Sequence, residues 1–429
     1  MKILLLNQAF HPDVVSTGQY LTELALALVE RGHTVTVLTS CRAYDNPNVR
    51  FARRETWNGI EIIRTGGTGL GKGAKWKRAA DFGSFMASCC WKLATLPRHD
   101  AVVALTSPPL ISFIGAWVAR LWRSRFFYWV MDLNPDEAIA AGWLRPNSAA
   151  ARVLNGMSRF SFRRAECNVA LDRFMRDRIL AKGIGPERVT VIPPWSHDGD
   201  VRFDPDGRER FRRAHGLDGK FVVMYSGNHS PCHPLDTLLE AARRLEQERD
   251  IVFCFVGGGS EWAKIRARQR DHGRTGPQWS VVSGPWSNIV CLPYQPLSAL
   301  AGSLSAADLH VVVMGERFVG IVHPCKIYNI LAVGAPVLYL GPRPSHATEI
   351  LDAMGDGDDF GFAAPGDVDQ VVNQIQRLRR ATRSRPRERS ELCATYSKEA
   401  LLPRLLAVLE GTAAALPASA ELRPARTEP

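Results

Sequence analysis

The chain has 429 residues, and its content of 45% hydrophobic and 23% charged residues excludes a disordered or fibrous protein and predicts two or three globular domains. A net charge of +11 favours an acidic partner, such as a phosphorylated substrate, an anionic lipid or a nucleic acid. Nine cysteines without any CxxC pair exclude a disulfide framework or zinc site and are typical of a reducing cytoplasm.

The N-terminal residues form a βαβ pattern. A mostly apolar strand is predicted over Lys2–Asn7, followed by a loop, a helix over Tyr20–Arg31 and a second strand over Thr34–Thr39. Gly18 ends the loop at the mouth of the predicted sheet. Its lack of a side chain either lets the backbone approach a ligand or simply eases a turn.

Neither a signal peptide nor a membrane-spanning helix is expected. Asn7 and Gln8 interrupt the first apolar run, so no signal-peptide core is formed. Ala101–Ala119 is uncharged, but Pro108 and Pro109 split it into a strand and a buried or membrane-touching helix. We therefore expect a cytoplasmic protein that can attach to the inner face of the cytoplasmic membrane.

A glycine-rich loop, Gly66–Gly73, superficially fits a nucleotide-binding Walker A motif. Gly73 replaces the Ser or Thr that would hold Mg²⁺, so hydrolysis of a nucleotide triphosphate is not expected there. The following segment, Ala74–Arg78, is predicted to be a mobile basic loop. With Trp91 and Lys92 on the next helix it resembles an interfacial anchor for anionic lipid head groups, although ordinary solvated charge explains it equally well.

Carboxylates follow a buried strand later in the N-terminal half. The strand is predicted over Phe126–Met131, and Asp132, Asp136 and Glu137 come directly after it. Functional residues of open α/β sheets lie at the carboxyl ends of strands, so these side chains are candidates for a site. A stretch rich in Asp, Gly and Pro, Trp195–Asp206, is the predicted domain linker.

The C-terminal half repeats the alternation of strands and helices. Strands are predicted over Phe221–Tyr225, Ile251–Val256, Asn288–Leu292 and Leu309–Met314, with helices between them. The alternation in both halves predicts two doubly wound domains. Glycine-containing turns at 226–228 and 257–259 let backbone N–H groups approach an anion.

The stretch Gly320–Leu340 is predicted to form a loop, a helix, a turn and a strand. Lys326 falls in the first turn of that helix, after Pro324. A cation there opposes the helix dipole unless an anion binds at the same end. The second domain is therefore the predicted binder of a nucleotide diphosphate.

These features, in this order, resemble the GT-B glycosyltransferases of the retaining family 4 type (the group 1 glycosyltransferases). Asp132–Glu137 is also similar to the equivalent segment of bacterial surface-polysaccharide transferases of that group. The other matching segments, in chain order, are Phe10–Pro12, Gly18, Glu23–Ala25, Arg31–Thr39, Gly183–Ile184, Val189–Pro193, Tyr225–Asn228, Phe255–Gly258, Leu304–Asp308 and Pro324–Pro336.

The resemblance implies an α/β fold in which two Rossmann-like domains face a cleft. Residues 1–195 would bind the acceptor and residues 207–398 the nucleotide sugar. Residues 399–411 would form a helix that crosses back to the first domain, and residues 412–429, rich in Ala and Pro, a disordered tail.

The resemblance also implies the site residues. Lys326 and the backbone of Gly227 would hold the donor diphosphate, and the stretch Leu292–Tyr294 would contact the base. Catalytic roles fall to Lys326, Asp132 and His323. The implied donor-binding set is Gly18, Gly227, Asn228, His233, Gly257, Gly258, Leu292, Tyr294, Lys326 and Asn329.

The chain departs from the family pattern at several of these positions. The paired glutamates of the family fall on Ile321 and Asn329, and only the second can still accept a hydrogen bond from a ribose hydroxyl. The Arg and Lys that usually follow the first strand of the second domain are replaced by Asn228 and His233. His323 either takes over a polar role in the site or is structural.

The implied reaction transfers a sugar from a nucleotide-diphosphate sugar, with UDP as the expected nucleotide, to a lipid-linked saccharide or glycan in cell-envelope or exopolysaccharide assembly. Lys326 and backbone N–H groups would stabilise the leaving diphosphate. For retention, a phosphate oxygen would take the proton of the incoming hydroxyl, with Asp132 as the alternative base or a group that orients the acceptor. No metal-ligand spacing such as DxD stands out at the end of a predicted strand, so neither a metal nor another cofactor is expected.

Two other functions remain open. A sugar-nucleotide epimerase of the same architecture would need convergent carboxylates and a histidine, which Asp132, Asp136, Glu137 and His323 offer. A non-catalytic relative would serve as a subunit of a partner transferase. The basic run at 379–387 is expected to be a solvated face, with contact to membrane phosphate or nucleic acid as the alternative. Nucleic-acid binding is not expected of the chain, because its basic residues are dispersed and no nucleic-acid module is recognised.

Overall fold

The computed structural model describes residues 1–13, 15–44, 48–70, 75–196, 201–268, 287–355, 357–381 and 390–412, with backbone alone at 75, 76, 78, 79 and 390. The chain divides into two compact units. The first comprises Met1–Pro194, Gly320–His323 and the described residues from Leu402 onward, and the second comprises the described residues of Trp195–Val319 and Pro324–Leu401. Each unit is a parallel α/β layer structure, so the predicted pair of doubly wound domains is confirmed.

The first unit is built on an eight-stranded sheet of order β3-β4-β2-β1-β5-β6-β7-β8, parallel except for β3 against β4. Its strands are β1 Lys2–Leu6, β2 Thr34–Ser40, β3 Arg54–Trp57, β4 Ile60–Thr65, β5 Ala101–Ala104, β6 Arg125–Trp129, β7 Cys167–Ala170 and β8 Val189–Val191. Its helices are α1 Ser16–Glu30, α2 Lys75–Thr95, α3 Ile111–Trp122, α4 Asp136–Ala140, α5 Ala149–Arg164 and α6 Arg173–Ala181. The central strands are continuous apolar runs because helices cover both faces of the sheet.

The second unit has a six-stranded, all-parallel sheet of order β11-β10-β9-β12-β13-β14. Its strands are β9 Phe221–Asn228, β10 Ile251–Gly258, β11 Ile289–Leu292, β12 Leu309–Val313, β13 Val337–Leu340 and β14 Phe360–Ala363. Its helices are α7 Pro205–His215, α8 Asp236–Arg244, α9 Trp262–Arg266, α10 Leu297–Ser305, α11 Lys326–Ala332, α12 His346–Asp352, α13 Val368–Ala381 and α14 Ser390–Thr395. Side chains of β9, β10 and β12 form the centre of its core with those of α8 and α13.

The last helix, α15, spans Lys398–Glu410, and its residues from Leu402 belong to the first unit. Arg125 donates to the carbonyl of Leu409 at 2.9 Å. The Glu410 carboxylate lies 2.7 Å from Arg31 and 3.0 Å from His33. These contacts attach the end of α15 to β6 and to the C-terminal end of α1.

Several predicted boundaries differ from the structure. The predicted basic loop at Ala74–Arg78 is wrong from Lys75 onward, because those residues begin α2. The predicted linker at Trp195–Asp206 ends earlier than expected, because the Asp204 side chain caps α7 by accepting from the Gly207 amide at 2.8 Å. Residues 71–74, the basic run from 382 and the tail from 413 lie outside the described residues.

The segment Gly320–His323 was predicted as part of the second domain, but it packs in the first unit. The amide of Leu133 donates to the carbonyl of Ile321 at 2.8 Å. Gly320 has a φ of +69°, and a Cβ there would lie 2.6 Å from the Phe174 backbone. This close approach holds the segment against α6. Within the described residues, no helix combines the length and hydropathy needed to cross a membrane.

Candidate functional site

Two neighbouring strands of the second unit each have, one residue before the end, a glycine that no other residue could replace without strain. Gly227 of β9 and Gly257 of β10 pair in register and have φ values of +136° and +137°. A Cβ at Gly227 would lie 3.1 Å from the Lys326 Nζ, and a Cβ at Gly257 would lie 2.1 Å from the Gly227 carbonyl oxygen. The two glycines therefore keep the carboxyl edge of the sheet open beside Lys326.

Lys326, the first residue of α11, places its ammonium at this edge. The Nζ lies 3.6 Å from the centroid of the Tyr225 ring, is buried, and has no hydrogen-bond partner among the described residues. Burial lowers the pKa of Lys326 to about 7. A buried cation without a counter-charge is costly, so this ammonium is suited to bind an anion that approaches the glycines.

Two histidines, His229 and His233, lie near the Lys326 ammonium and are themselves uncharged. Burial, and secondarily the Lys326 charge, lower the pKa of His229 to about 4 and that of His233 to about 3. Both are therefore neutral at physiological pH. The His233 Nδ1 lies 2.7 Å from the Val313 carbonyl, which fixes its ring to β12. The His229 Nδ1 lies 3.3 Å from the Gly258 carbonyl, and its Nε2 has no partner among the described residues.

Two of the residues predicted to contact the base differ in exposure: the Tyr294 side chain lies at the surface and the Leu292 side chain lies in the core. Tyr294 is half exposed, and its hydroxyl donates to the Gly258 carbonyl at 3.3 Å. Its ring edge would be 3.1 Å from a Cβ at Gly258, so a larger residue there would push the tyrosine ring aside by a few tenths of an ångström. Leu292 is 1% exposed and packs in the core, which leaves only its backbone available to a ligand.

Two predicted donor residues of this unit remain. Asn329 is half-buried on α11, and Asn228 is exposed at the end of β9. The Asn228 carbonyl accepts a hydrogen bond of 2.7 Å from the Tyr225 hydroxyl. The structure thus brings Gly227, Gly257 and Lys326 together at one sheet edge, with the two histidines beside them.

The first unit contains the other predicted catalytic residues. Asp132 follows β6 and is half-buried, and burial together with the Glu137 carboxylate raises its pKa to about 8. Asp136, on α4, instead forms an ion pair of 2.6 Å with Lys182. Asp132 is therefore mostly protonated at neutral pH.

His323 is also in the first unit, and its geometry favours a structural role. Its Nδ1 lies 2.7 Å from the Asp172 Oδ2, and both side chains are buried. The other oxygen of Asp172 caps α6 by accepting from the Met175 amide at 2.7 Å. The neighbouring Ile321, which occupies a glutamate position of the family, is 3% exposed.

Gly18 lies inside the first turn of α1 and not in the preceding loop, which corrects the predicted start of that helix. A Cβ there would be 3.3 Å from Ala9, so the glycine permits close packing of the loop against the helix.

Three residues of these sites were not predicted: Tyr225, His229 and Asp172. Tyr225 lies in an apolar strand run, where its ring face cannot be inferred. His229 directly follows the glycine turn at 226–228, and this position could have indicated that it lies beside the site. Asp172 matches a helix N-cap, but its partner His323 is 151 residues away.

The chain is similar to known glycosyltransferases in sequence and in fold. Residues 17–195 match the family profile described as glycosyl transferase 4-like domain. The chain is 26% identical over 352 residues to the putative colanic acid biosynthesis glycosyl transferase WcaI of Escherichia coli (strain K12), covering 78% of this chain and 82% of that protein.

The fold is similar to those of solved glycosyltransferase structures. WaaG, a glycosyltransferase involved in lipopolysaccharide biosynthesis, superposes with a TM-score of 0.66 at 16% identity, covering 95% of this chain and 100% of that chain. HepE of Anabaena in complex with UDP superposes with a TM-score of 0.63 at 15% identity, covering 96% and 100%. The predicted GT-B fold is confirmed. The sequence matches and the fold together make the chain similar to the group 1 glycosyltransferases of the GT-B type.

Proposed function

We propose that the chain transfers a sugar, with retention, from a UDP-sugar to a lipid-linked saccharide or glycan in the assembly of a cell-surface polysaccharide. The observation that carries the proposal is the buried Lys326 ammonium, held beside Gly227 without a counter-charge among the described residues. Supporting it are the UDP bound to HepE and the polysaccharide pathways in which WcaI and WaaG are said to act.

Lys326 has the properties needed to stabilise a leaving group. When the bond between the sugar and the diphosphate breaks, negative charge develops on the diphosphate oxygens. A dry ammonium interacts with that charge more strongly than a hydrated one, because the local dielectric constant is low. Binding of the anion also raises the pKa of Lys326, so the lysine is charged in the complex even at pH values near 7.

Retention in this proposal does not use a protein nucleophile. The acceptor hydroxyl approaches on the face of the leaving group, and a diphosphate oxygen takes its proton. We assign to Asp132 the orientation of the acceptor, since a carboxyl group with a pKa of about 8 is protonated at neutral pH and is a poor base. No metal ion takes part in this scheme, because Lys326 and backbone N–H groups supply the positive charge.

Replacement of Lys326 by methionine tests the proposal. Lys326→Met removes the charge and keeps most of the volume, so binding of UDP should weaken at least tenfold, the worth of a charged hydrogen bond of about 1.5–3 kcal/mol. The ligand-free variant should unfold at a higher temperature than the wild type, because an unpaired buried charge has been removed. Titration calorimetry with UDP and UDP-sugars measures the first effect, and a thermal melt measures the second.

Lys264→Met is the matched control, because Lys264 lies in the same unit, is largely exposed and pairs only with Glu261 among the described residues. It should leave the affinity for UDP unchanged. Unaltered affinity in a folded Lys326→Met variant would reject Lys326 as the diphosphate ligand. Binding of UDP without any transfer to an acceptor would instead favour a non-catalytic subunit. The buried Ile321, which stands where the family has a glutamate, would then explain the lack of transfer.

A further inference from the structure

His229 connects the two glycine turns of the second unit, and its side chain is fully buried. Its amide donates to the Gly258 carbonyl at 2.7 Å, and its own carbonyl accepts from the Glu261 amide at 3.0 Å. Its Nδ1 lies 3.3 Å from the same Gly258 carbonyl. Because a carbonyl oxygen only accepts, Nδ1 carries the proton of the neutral imidazole. The backbone and the ring of this one residue therefore join the turn at 226–228 to the turn at 257–259.

The His229 ring also connects two aromatic side chains. Its centroid lies 4.7 Å from that of Trp262 on α9 and 4.9 Å from that of Tyr225 on β9, with interplanar angles of 61° and 68°. The Lys326 Nζ lies 3.6 Å from the centroid of the Tyr225 ring. Since this Nζ has no hydrogen-bond partner among the described residues, the Tyr225 ring is the group that holds the ammonium in place.

We propose that His229 is a positioning residue of the donor site, which fixes the Tyr225 ring and through it the Lys326 ammonium. The inference rests on the proposed function, because it concerns the lysine that is assigned there to the diphosphate. A neutral imidazole suits this role, since it packs on Tyr225 and binds the second glycine turn without adding a charge beside the ammonium.

The pKa of Lys326 distinguishes positioning from a purely structural role. Burial lowers this pKa to about 7. When the His229 ring is removed, Tyr225 can move and water can reach the ammonium, so the pKa should rise toward its ordinary value of 10.5. The affinity for UDP-glucose should then begin to fall at a higher pH than in the wild type. A loss of stability alone would leave that pH unchanged.

Titration calorimetry with UDP-glucose on the full chain, between about pH 6 and pH 9, tests the proposal. His229→Asn can still donate to the Gly258 carbonyl but lacks the ring. We expect it to weaken binding about fivefold at pH 6, because the diphosphate must order a mobile ammonium. The pH at which the affinity begins to fall should rise by about one unit. His229→Phe restores a ring against Tyr225 and should recover most of the affinity and the wild-type pH dependence.

His310→Asn is the matched control. His310 is another fully buried histidine of the second unit, and its Nε2 lies 2.9 Å from the Leu304 carbonyl of α10. Its replacement should lower the melting temperature and leave the affinity for UDP-glucose and its pH dependence unchanged.

A second variant, Trp262→Leu, loosens the His229 ring from a half-buried position. It should shift the pH dependence in the same direction by a smaller amount, and it decides the question where His229→Asn does not fold. Thermal melts show which variants are folded.

Two results would overturn the proposal while Lys326 remains the diphosphate ligand. One is wild-type affinity and pH dependence in folded His229→Asn, or in Trp262→Leu in its place. The other is weaker binding by His229→Asn with the wild-type pH dependence, which would leave His229 a purely structural role. Failure of the wild type to bind UDP-glucose at any pH would instead refute the proposed function, and this inference with it.

Discussion

At the scale of single residues, the buried Lys326 ammonium destabilises the ligand-free chain and favours the binding of an anion. Lys326 is buried with its ammonium over an aromatic ring and next to two neutral histidines. The Tyr225 face attracts the cation but does not neutralise it. A side chain chosen for stability alone would be apolar at this position, and Met or Leu would fill the space. The charge is therefore best explained by an anionic ligand.

The pKa of about 7 for Lys326 predicts how donor binding depends on pH. A UDP-sugar has no ionisable phosphate near neutrality, and it binds the protonated lysine. Its affinity should be constant below about pH 7 and should fall by up to about tenfold per pH unit above it, until the pKa of the complex is reached. Titration calorimetry with UDP-glucose between about pH 6 and pH 9 measures this dependence.

Lys326→Met is again the control, and its residual affinity should show no such slope. The stability of the ligand-free chain should change in the opposite sense. Since the folded-state pKa lies below the ordinary value of 10.5, the unfolded chain binds more protons between about pH 7 and 10.5, and the wild type gains stability relative to the variant as the pH rises. An affinity for UDP-glucose that does not vary over this range would contradict the assignment of Lys326.

At the scale of elements, long amphipathic helices and buried strands were predictable, and short ones were not. The sequence predicts helices over Ala149–Arg164, Leu297–Ser305 and Val368–Ala381, and these bounds agree with those of α5, α10 and α13. They were predictable because apolar side chains recur along one face over two or more turns. Strand β3 was missed because Arg54–Trp57 is a four-residue edge strand with mixed polarity. Helix α4 was missed because its five residues contain no buried side chain that would set a period.

The N-cap of α6 gives a prediction at this scale. Asp172 bonds both the Met175 amide and the His323 ring, so it joins the start of α6 to the segment that includes Gly320. Asp172→Ala removes the cap and leaves a buried histidine without that carboxylate. We expect it to lower the free energy of unfolding by about 2–4 kcal/mol, against about 1 kcal/mol for a lost cap alone. Urea unfolding of Asp172→Ala, of a variant that loses only a helix cap, and of the wild type measures the difference.

Ser148→Ala provides the cap-only reference, because Ser148 caps α5 in the same unit by accepting from the Ala151 amide at 3.2 Å. Asp172→Asn retains a capping oxygen and should fall between the two. Equal losses for Asp172→Ala and Ser148→Ala would show that the contact with His323 contributes nothing.

At the scale of the whole molecule, the alternation of strands and helices was sufficient to predict two units, but it did not predict which unit holds Gly320–His323. That assignment depends on the hydrogen bond between Leu133 and Ile321, nearly 190 residues apart. For the same reason, the position of Lys326 was predictable from its motif, whereas its burial beside Tyr225 was not. Packing between residues far apart in the sequence determines both the placement of Gly320–His323 and the burial of Lys326, and local sequence patterns do not predict such packing.

Hydrogen exchange on the full chain gives the last prediction. UDP-glucose should protect backbone amides at 227–230, 257–261 and 326–329, where the glycine turns and α11 meet. Lys326→Met should weaken this protection at the same concentration of UDP-glucose, because the diphosphate loses its cation, and Lys264→Met should leave it unchanged. Protection that is confined to the first unit would contradict the placement of the diphosphate beside Gly227, because that glycine belongs to the second unit.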